Sequence, residues 1–249
     1  MSVGFIEDKE QLEYINKKLS GDNILLGAAG TGKTNIAMSI LVKAAQMDNV
    51  DNILFLSFNK TLISFCQKYD LEGLAQRTHL FGAPSISIMT FHSLFSQIFR
   101  DIFGRSPRIY NHEKAKSYFS KNLVKQAIRY CKARYQDETT EFDKSEQLFK
   151  AEIKFIEDRG FVEYNEYEQA IRVGQGNKLS KLSRKYYWAV YKEYLTLLRA
   201  NEFDCDFDNA ASVLLDLETK YDIPKYQFII IDEAQDLSST AIRSIRNLL

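Results

Sequence analysis

The residues best suited to chemistry lie in two short stretches of a 249-residue chain. The first is GAAGTGKT, Gly27–Thr34, which fits the spacing G-x-x-x-x-G-K-[ST]. Glycines let such a loop curl until its N–H groups face a common anion, and the following helix adds the positive end of its dipole. On this reading Gly27, Ala28, Ala29, Gly30, Thr31 and Gly32 cradle phosphates, with Asn35 just inside the helix. Lys33 meets the β- and γ-phosphates, and the Thr34 hydroxyl ligates Mg2+. The second stretch is FIIIDEAQD, Phe228–Asp236. An apolar strand ending in two carboxylates puts Asp232 where it holds magnesium and Glu233 where it orients or deprotonates an attacking water. Each stretch has a plain alternative, a chance glycine turn and an acidic pair at a strand end. Together they point to hydrolysis of a nucleoside triphosphate with ATP and Mg2+ bound.

Strands and helices must place these residues. Four apolar runs read as strands: Ile24–Ala28, Ile53–Phe58, Ser85–Thr90 and Phe228–Asp232. The first three are each followed by helical patterning, so the expected fold class is α/β, a parallel sheet with helices on both faces. Right-handed crossovers then bring all four strand ends to one edge, where open α/β sheets bind ligands. From about Arg105 to Asp204 the spacing is helical, in segments such as YFSKNLVKQAIRYCKARY and KYYWAVYKEYLTLLRA. A mostly helical inserted subdomain at 105–204, interrupting a discontinuous domain at 1–104 and 205–249, is the simplest organisation. Within the insertion GQGNKLSKLS, Gly174–Ser183, is the most loop-like run.

Thirty-three basic and 33 acidic residues cancel, which excludes a uniformly basic nucleic-acid coat. The charge is nonetheless segregated: residues 105–135 carry a net +8, 136–168 a net −7 and 169–199 a net +6. Both basic segments are rich in tyrosine, and two readings stand. The rings and lysines face nucleic acid, or Tyr187, Tyr191, Tyr194 and Leu198 form a stripe turned to the core. Cys66, Cys131 and Cys205 are too dispersed for a metal site and read as reduced thiols. No run approaches 18 apolar residues, and the N-terminus lacks a signal-peptide shape, so a cytoplasmic protein with no membrane association is expected. The last residues, SSTAIRSIRNLL, have helical spacing, and the chain reads as though cut inside a helix.

DEAQD, with LFLSFNKTL at Leu54–Leu62 and IMTFHSLF at Ile88–Phe95, resembles the UvrD/Rep group of superfamily 1 helicases. The order of phosphate loop, SFNK, TFHS, long helical insertion and DExQD matches that family. The resemblance implies a P-loop RecA-like domain. It implies that Ser57, Phe58, Asn59 and Lys60, with Thr90, Phe91 and His92, line a path for single-stranded DNA. It also implies that Gln11 hydrogen-bonds adenine and that Gln235 and Asp236 link the γ-phosphate to the DNA contacts. For Gln11 an ordinary solvated helix residue is the alternative, for His92 a satisfied histidine at a strand end. The family often has a basic residue after its Lys-Thr pair, whereas Asn35 stands here. The family's coupling glutamine, arginine fingers and second RecA-like domain are not found after DExQD. The parent this implies is an ATP-dependent DNA helicase acting on single-stranded DNA and ss/ds junctions, and the 249 residues alone are expected to hydrolyse ATP poorly. The competing reading is a non-unwinding nucleotide or DNA sensor that regulates a protein partner such as a nuclease or a repair or defence factor. A small-molecule kinase leaves TFHS, SFNK and DExQD without a role.

Overall fold

A computed structural model describes residues 9–17, 20–28, 30–47, 49–68, 84–111, 122–135, 140–172 and 179–249. The chain forms two compact units, one of residues 1–94, 224–237 and 248–249, the other of 95–223 and 238–247.

The first unit is built on three parallel strands, β1 (Asn52–Leu56), β2 (Ser85–Met89) and the last strand, β5 (Phe228–Ile231), in the order β2-β1-β5. Central β1 reads NILFL and is buried from Ile53 onward, as a strand covered on both faces requires. Ile53 and Phe55 join Ile230 in a core closed by Met38, Leu41 and Ala44 of helix α2 (Lys33–Ala45). Helix α1 (Lys9–Asn16) docks on α2 through buried Ile15. Lys43 of α2 caps the end of α1, donating to the carbonyls of Ile15 at 2.7 Å and Lys17 at 2.8 Å. A cation on the negative end of a helix dipole stabilises that end. Helices α3 (Lys60–Lys68) and α4 (Phe91–Phe103) follow β1 and β2 directly.

One expected strand does not form. Residues 22–28 carry no strand, and Ile24 and Leu26 are 81% and 87% exposed. An extended segment becomes a strand only when a neighbour accepts its backbone hydrogen bonds. Among the described residues none pairs with Ile24–Ala28. The sheet otherwise has the expected parallel α/β character.

The second unit is helical: α5 (Leu123–Tyr135), α6 (Glu146–Arg159), α7 (Tyr164–Gln169), α8 (Lys181–Ala200), α9 (Ala210–Glu218) and α10 (Ser239–Arg246). A short parallel pair, β3 (Ile109–Tyr110) and β4 (Cys205–Asp206), ties its ends. Tyr187, Tyr191, Tyr194 and Leu198 of α8 are buried, so the tyrosine stripe belongs to the core. Segregated charge turns into internal pairing: Arg134 meets Glu193 at 2.8 Å, Lys154 meets Asp208 at 2.9 Å, and Lys132 pairs with Asp143. Buried Arg184 donates to the carbonyls of Tyr167 and Ala170 at 2.8 and 3.0 Å, closing the C-terminal end of α7. Cys131 and Cys205 are free and buried. Helix α10 is capped at its start by Ser238, whose side chain accepts from the Ala241 N–H, and has Asn247 as its C-cap. The division of the chain falls at Leu94, so most of α4, with α9 and α10, is grouped with the helical unit.

Glu157 is a deeply buried acid of this unit, 1% exposed. Ser212 and Tyr191 hydrogen-bond it, but Oε1 has no partner among the described residues. Burial, then repulsion from Asp206, pushes its carboxyl up to about 8. A carboxyl whose folded value lies above its unfolded one loses stability as pH rises from the ordinary carboxylate range through the folded value. Glu157→Gln is therefore expected to gain on the parent chain between pH 5 and pH 8.5. Their melting temperatures should diverge by roughly 2–4 °C or more, the response of a domain this size to about 1 kcal/mol. A difference independent of pH in parallel thermal melts would contradict a protonated Glu157.

Candidate functional site

Parallel register gathers the site. Leu56 sits opposite Met89 on one side and Ile231 on the other, so the three strands end level. The next residue on each is Ser57, Thr90 and Asp232. Backbone bonds extend the ladder that far: the Ser57 N–H reaches the Met89 carbonyl at 3.2 Å, and the Asp232 N–H the Leu56 carbonyl at 2.8 Å.

The phosphate loop is shaped by its glycines. Gly30 and Gly32 have φ of +80° and +77°, a region that L side chains rarely adopt. At Gly32 space is short as well, since a Cβ there would lie 2.8 Å from the Gln11 amide nitrogen. That amide donates to the Thr31 carbonyl at 3.1 Å, so Gln11 is brought against the loop from α1. Lys33 folds back over the loop, its ammonium 3.0 Å from the Gly27 carbonyl and 2.8 Å from that of Ala28. Its charge is thereby held at the concave side where phosphate oxygens would bind. The Thr31 hydroxyl closes the turn on the Ala28 carbonyl at 2.9 Å. Ala29 lies outside the described residues, and Asn35 lies in the first turn of α2.

Asp232 is 6% exposed and lies between two hydroxyls. Thr34 Oγ1 is 3.2 Å from Asp232 Oδ1, and Ser57 Oγ is 3.3 Å from Oδ2. Burial raises the Asp232 carboxyl above its ordinary value, Glu233 adds repulsion, and the Thr34 and Ser57 hydroxyls pull it back in part. Adjacent ligands on an octahedral magnesium lie about 2.9 Å apart, from metal–oxygen distances near 2.0–2.1 Å. The Thr34–Asp232 pair fits that spacing. Among the described residues no group of three His, Cys, Asp or Glu could cage a metal ion. The donor set therefore suits an ion that takes its remaining ligands from phosphates and water, as magnesium does.

Glu233 has φ +54° and ψ +47°. A left-handed glutamate is uncommon, and this one reverses the chain from β5 into a single 3-10 turn, Ala234–Asp236. The Gln235 amide donates to the Glu233 carboxylate, and Asp236 is exposed at the end of the turn.

A family model described as the UvrD/REP helicase N-terminal domain matches residues 7–249. The chain belongs to that family. No curated protein matches it. This UvrD/Rep-type chain is a helicase-family ATP-binding domain, and its parallel α/β sheet is RecA-like though small.

Along the SFNK and TFHS segments of this UvrD/Rep domain the side chains divide. Ser57 is buried on Asp232, and Phe91 is buried. Asn59 caps α3, its Oδ1 accepting from the N–H groups of Thr61 and Leu62 at 3.0 and 3.1 Å. Thr90 caps α4 in the same way, accepting from the Ser93 N–H at 3.1 Å. Phe58 and Lys60 are exposed, and His92 is half-buried with its ring edge-on to Phe91 at 5.7 Å. The sequence pattern identified all of these segments and had no signal for the cap roles or for the bond between Ser57 and Asp232.

The raised Asp232 carboxyl fixes the sign of one outcome. Its charge costs the fold as pH rises above the carboxylate range, so Asp232→Asn in this UvrD/Rep domain should melt no lower than the parent at pH 7.5 without ligand. Mg-ATP should raise the parent's melting temperature and leave that of Asp232→Asn unmoved. An equal upward shift in both proteins would remove Asp232 from the magnesium site.

Proposed function

We propose that the chain is the ATP-hydrolysing part of a DNA motor that couples Mg-ATP turnover to movement on single-stranded DNA. The observation that carries this reading is the common edge, where the phosphate loop meets Asp232 and the strand ends lead straight into SFNK and TFHS. Residues 1–104 with 205–249 would serve as the ATP-binding domain and 105–204 as its helical insertion. Lys33 binds the β- and γ-phosphates, and the loop N–H groups neutralise the rest. Thr34 and Asp232 hold the magnesium ion, which supplies charge neutralisation at the transferred phosphate. Glu233 lies next to Asp232 and orients the attacking water, accepting its proton as the new oxygen–phosphorus bond forms and the bond from the γ-phosphorus to the bridging oxygen breaks, with ADP leaving. Rotation of Glu233 away from Gln235 brings its carboxylate to that water. Gln11 reads the base edge from the other side of the loop.

DNA would lie across the ends of β1 and β2. There Phe58 offers a ring for stacking and Lys60 a charge, and the N-termini of α3 and α4 add partial positive charge. A single strand on this edge touches the same backbone that holds Ser57 and Thr90.

Glu233→Gln should keep Mg-ATP affinity and lose turnover by about 10²–10⁴-fold, the usual contribution of a positioned base. Lys60→Ala should weaken oligothymidylate binding and lower the slope of log affinity against log salt by about 0.7, one phosphate contact on a single strand. Both are read by fluorescent-nucleotide and fluorescence-anisotropy titrations alongside phosphate release. Turnover that ignores single-stranded DNA, with binding of DNA unaltered by Lys60→Ala, would instead favour a nucleotide sensor.

A further inference from the structure

Ser57 has a role that neither the phosphate loop nor the DNA edge explains by itself. Its side chain is almost fully enclosed, 3% exposed, so its hydroxyl is positioned by the protein and not by solvent. That hydroxyl makes two bonds. It accepts from the Asn59 N–H at 3.1 Å and lies 3.3 Å from Asp232 Oδ2. A hydroxyl has a single proton. With Asn59 donating to the oxygen, that proton is directed at the carboxylate. Asp232 then carries the line onward through Oδ1 to Thr34 in the phosphate loop.

We infer that Ser57 is a positioning residue that ties the exposed Phe58–Lys60 segment to the magnesium-holding carboxylate of Asp232. The inference rests on the function proposed above and adds to it the physical link between the two ends of the site. The link is short because the two strands are neighbours: Ser57 follows β1, Asp232 follows β5, and α3 begins three residues after Ser57. Asn59 belongs to both sides of this link, as cap of α3 through its side chain and as donor to Ser57 through its backbone. A strand of DNA that pulls on Phe58 or Lys60 shifts the Asn59 N–H. The Ser57 hydroxyl follows, and one oxygen of Asp232 gains or loses its donor.

The test uses Ser57→Ala and Ser57→Thr in the 249-residue chain, with Lys33→Ala as the control that removes nucleotide binding. The first readout is binding of a fluorescent ATP analogue titrated with Mg2+, which needs no turnover. The second is the ratio of phosphate release with and without oligothymidylate. Ser57→Ala should raise the Mg2+ concentration needed for half-binding by about 10–100-fold, the usual effect of removing a group that orients a metal ligand. It should also flatten the DNA response while DNA affinity stays at the parent's level. Ser57→Thr, which keeps the hydroxyl, should restore both. If Ser57→Ala does not fold by thermal melt, Ser57→Cys keeps the volume with a weak donor and should show the same displacement of the Mg2+ titration.

A Ser57→Ala chain with the parent's Mg2+ dependence and DNA response overturns the inference and leaves Ser57 as a buried packing residue. A parent chain that binds the analogue no better than Lys33→Ala overturns the nucleotide reading itself, and the link with it.

Discussion

Level ending of three parallel strands is the constraint on which the site depends. β1 is paired on both sides, to β2 and to β5, with no bulge in either ladder. A one-residue slip of β5 would turn Asp232 to the other face of the sheet and bring Glu233 to the phosphate loop. The slip is opposed by burial on both faces of β1, since Ile53, Leu54, Phe55 and Leu56 are all 2% exposed or less. Each such side chain contributes about 1.5–3 kcal/mol through burial. The hydrophobic core that fixes the register thus also fixes which carboxylate meets Thr34.

The phosphate loop keeps its shape with little help from the sheet. Among the described residues, 22–28 have no strand partner, and the loop is fastened from within and from the helices. Thr31 and Lys33 bond the carbonyls of Gly27 and Ala28, Gln11 reaches the Thr31 carbonyl from α1, and Lys43 binds α1 to α2. These are polar attachments between exposed groups, each worth about 0.5–1.5 kcal/mol net. The loop is consequently held in place by geometry that a phosphate can replace bond for bond. On the proposed function, Lys33 would exchange the Gly27 and Ala28 carbonyl oxygens for phosphate oxygens.

Much of this was legible in the sequence, for reasons that differ from residue to residue. The phosphate loop and DExQD were legible because glycine, lysine and paired carboxylates at fixed spacing have few other uses. The parallel sheet was legible because NILFL and FIII are short, nearly continuous apolar runs and SISIM carries an apolar residue at every second position, each bounded by polar residues. The strand at Ile24–Ala28 was read from the same apolar pattern and did not form, because pattern states what a segment would bury and not whether a neighbour exists. Ser57, Asn59 and Thr90 were grouped with the DNA contacts by their motifs. Whether a short polar side chain serves a ligand, a helix cap or another side chain depends on rotamers that spacing does not encode. Likewise the blocks of like charge in the insertion suggested a nucleic-acid face, yet several of those cations, Arg105, Lys132, Arg134 and Arg172, are paired with acids that folding brings opposite them.

Electrostatics at the strand end explains why the two adjacent carboxylates behave differently. Asp232 is enclosed, its charge opposed by burial and by Glu233, and its two hydroxyl partners stand at 3.2 and 3.3 Å, longer than a tight O–H···O bond. Glu233 is turned aside by a left-handed backbone, a conformation that costs about 1–2 kcal/mol for a residue with a Cβ. That turn sets the Glu233 carboxylate against the Gln235 amide, still near enough to Asp232 to oppose its charge. A divalent cation beside Asp232 would reverse the balance, since its charge would stabilise the buried carboxylate and offset the repulsion from Glu233. A cation at Asp232 would therefore relieve a buried charge that its two hydroxyl partners offset only in part.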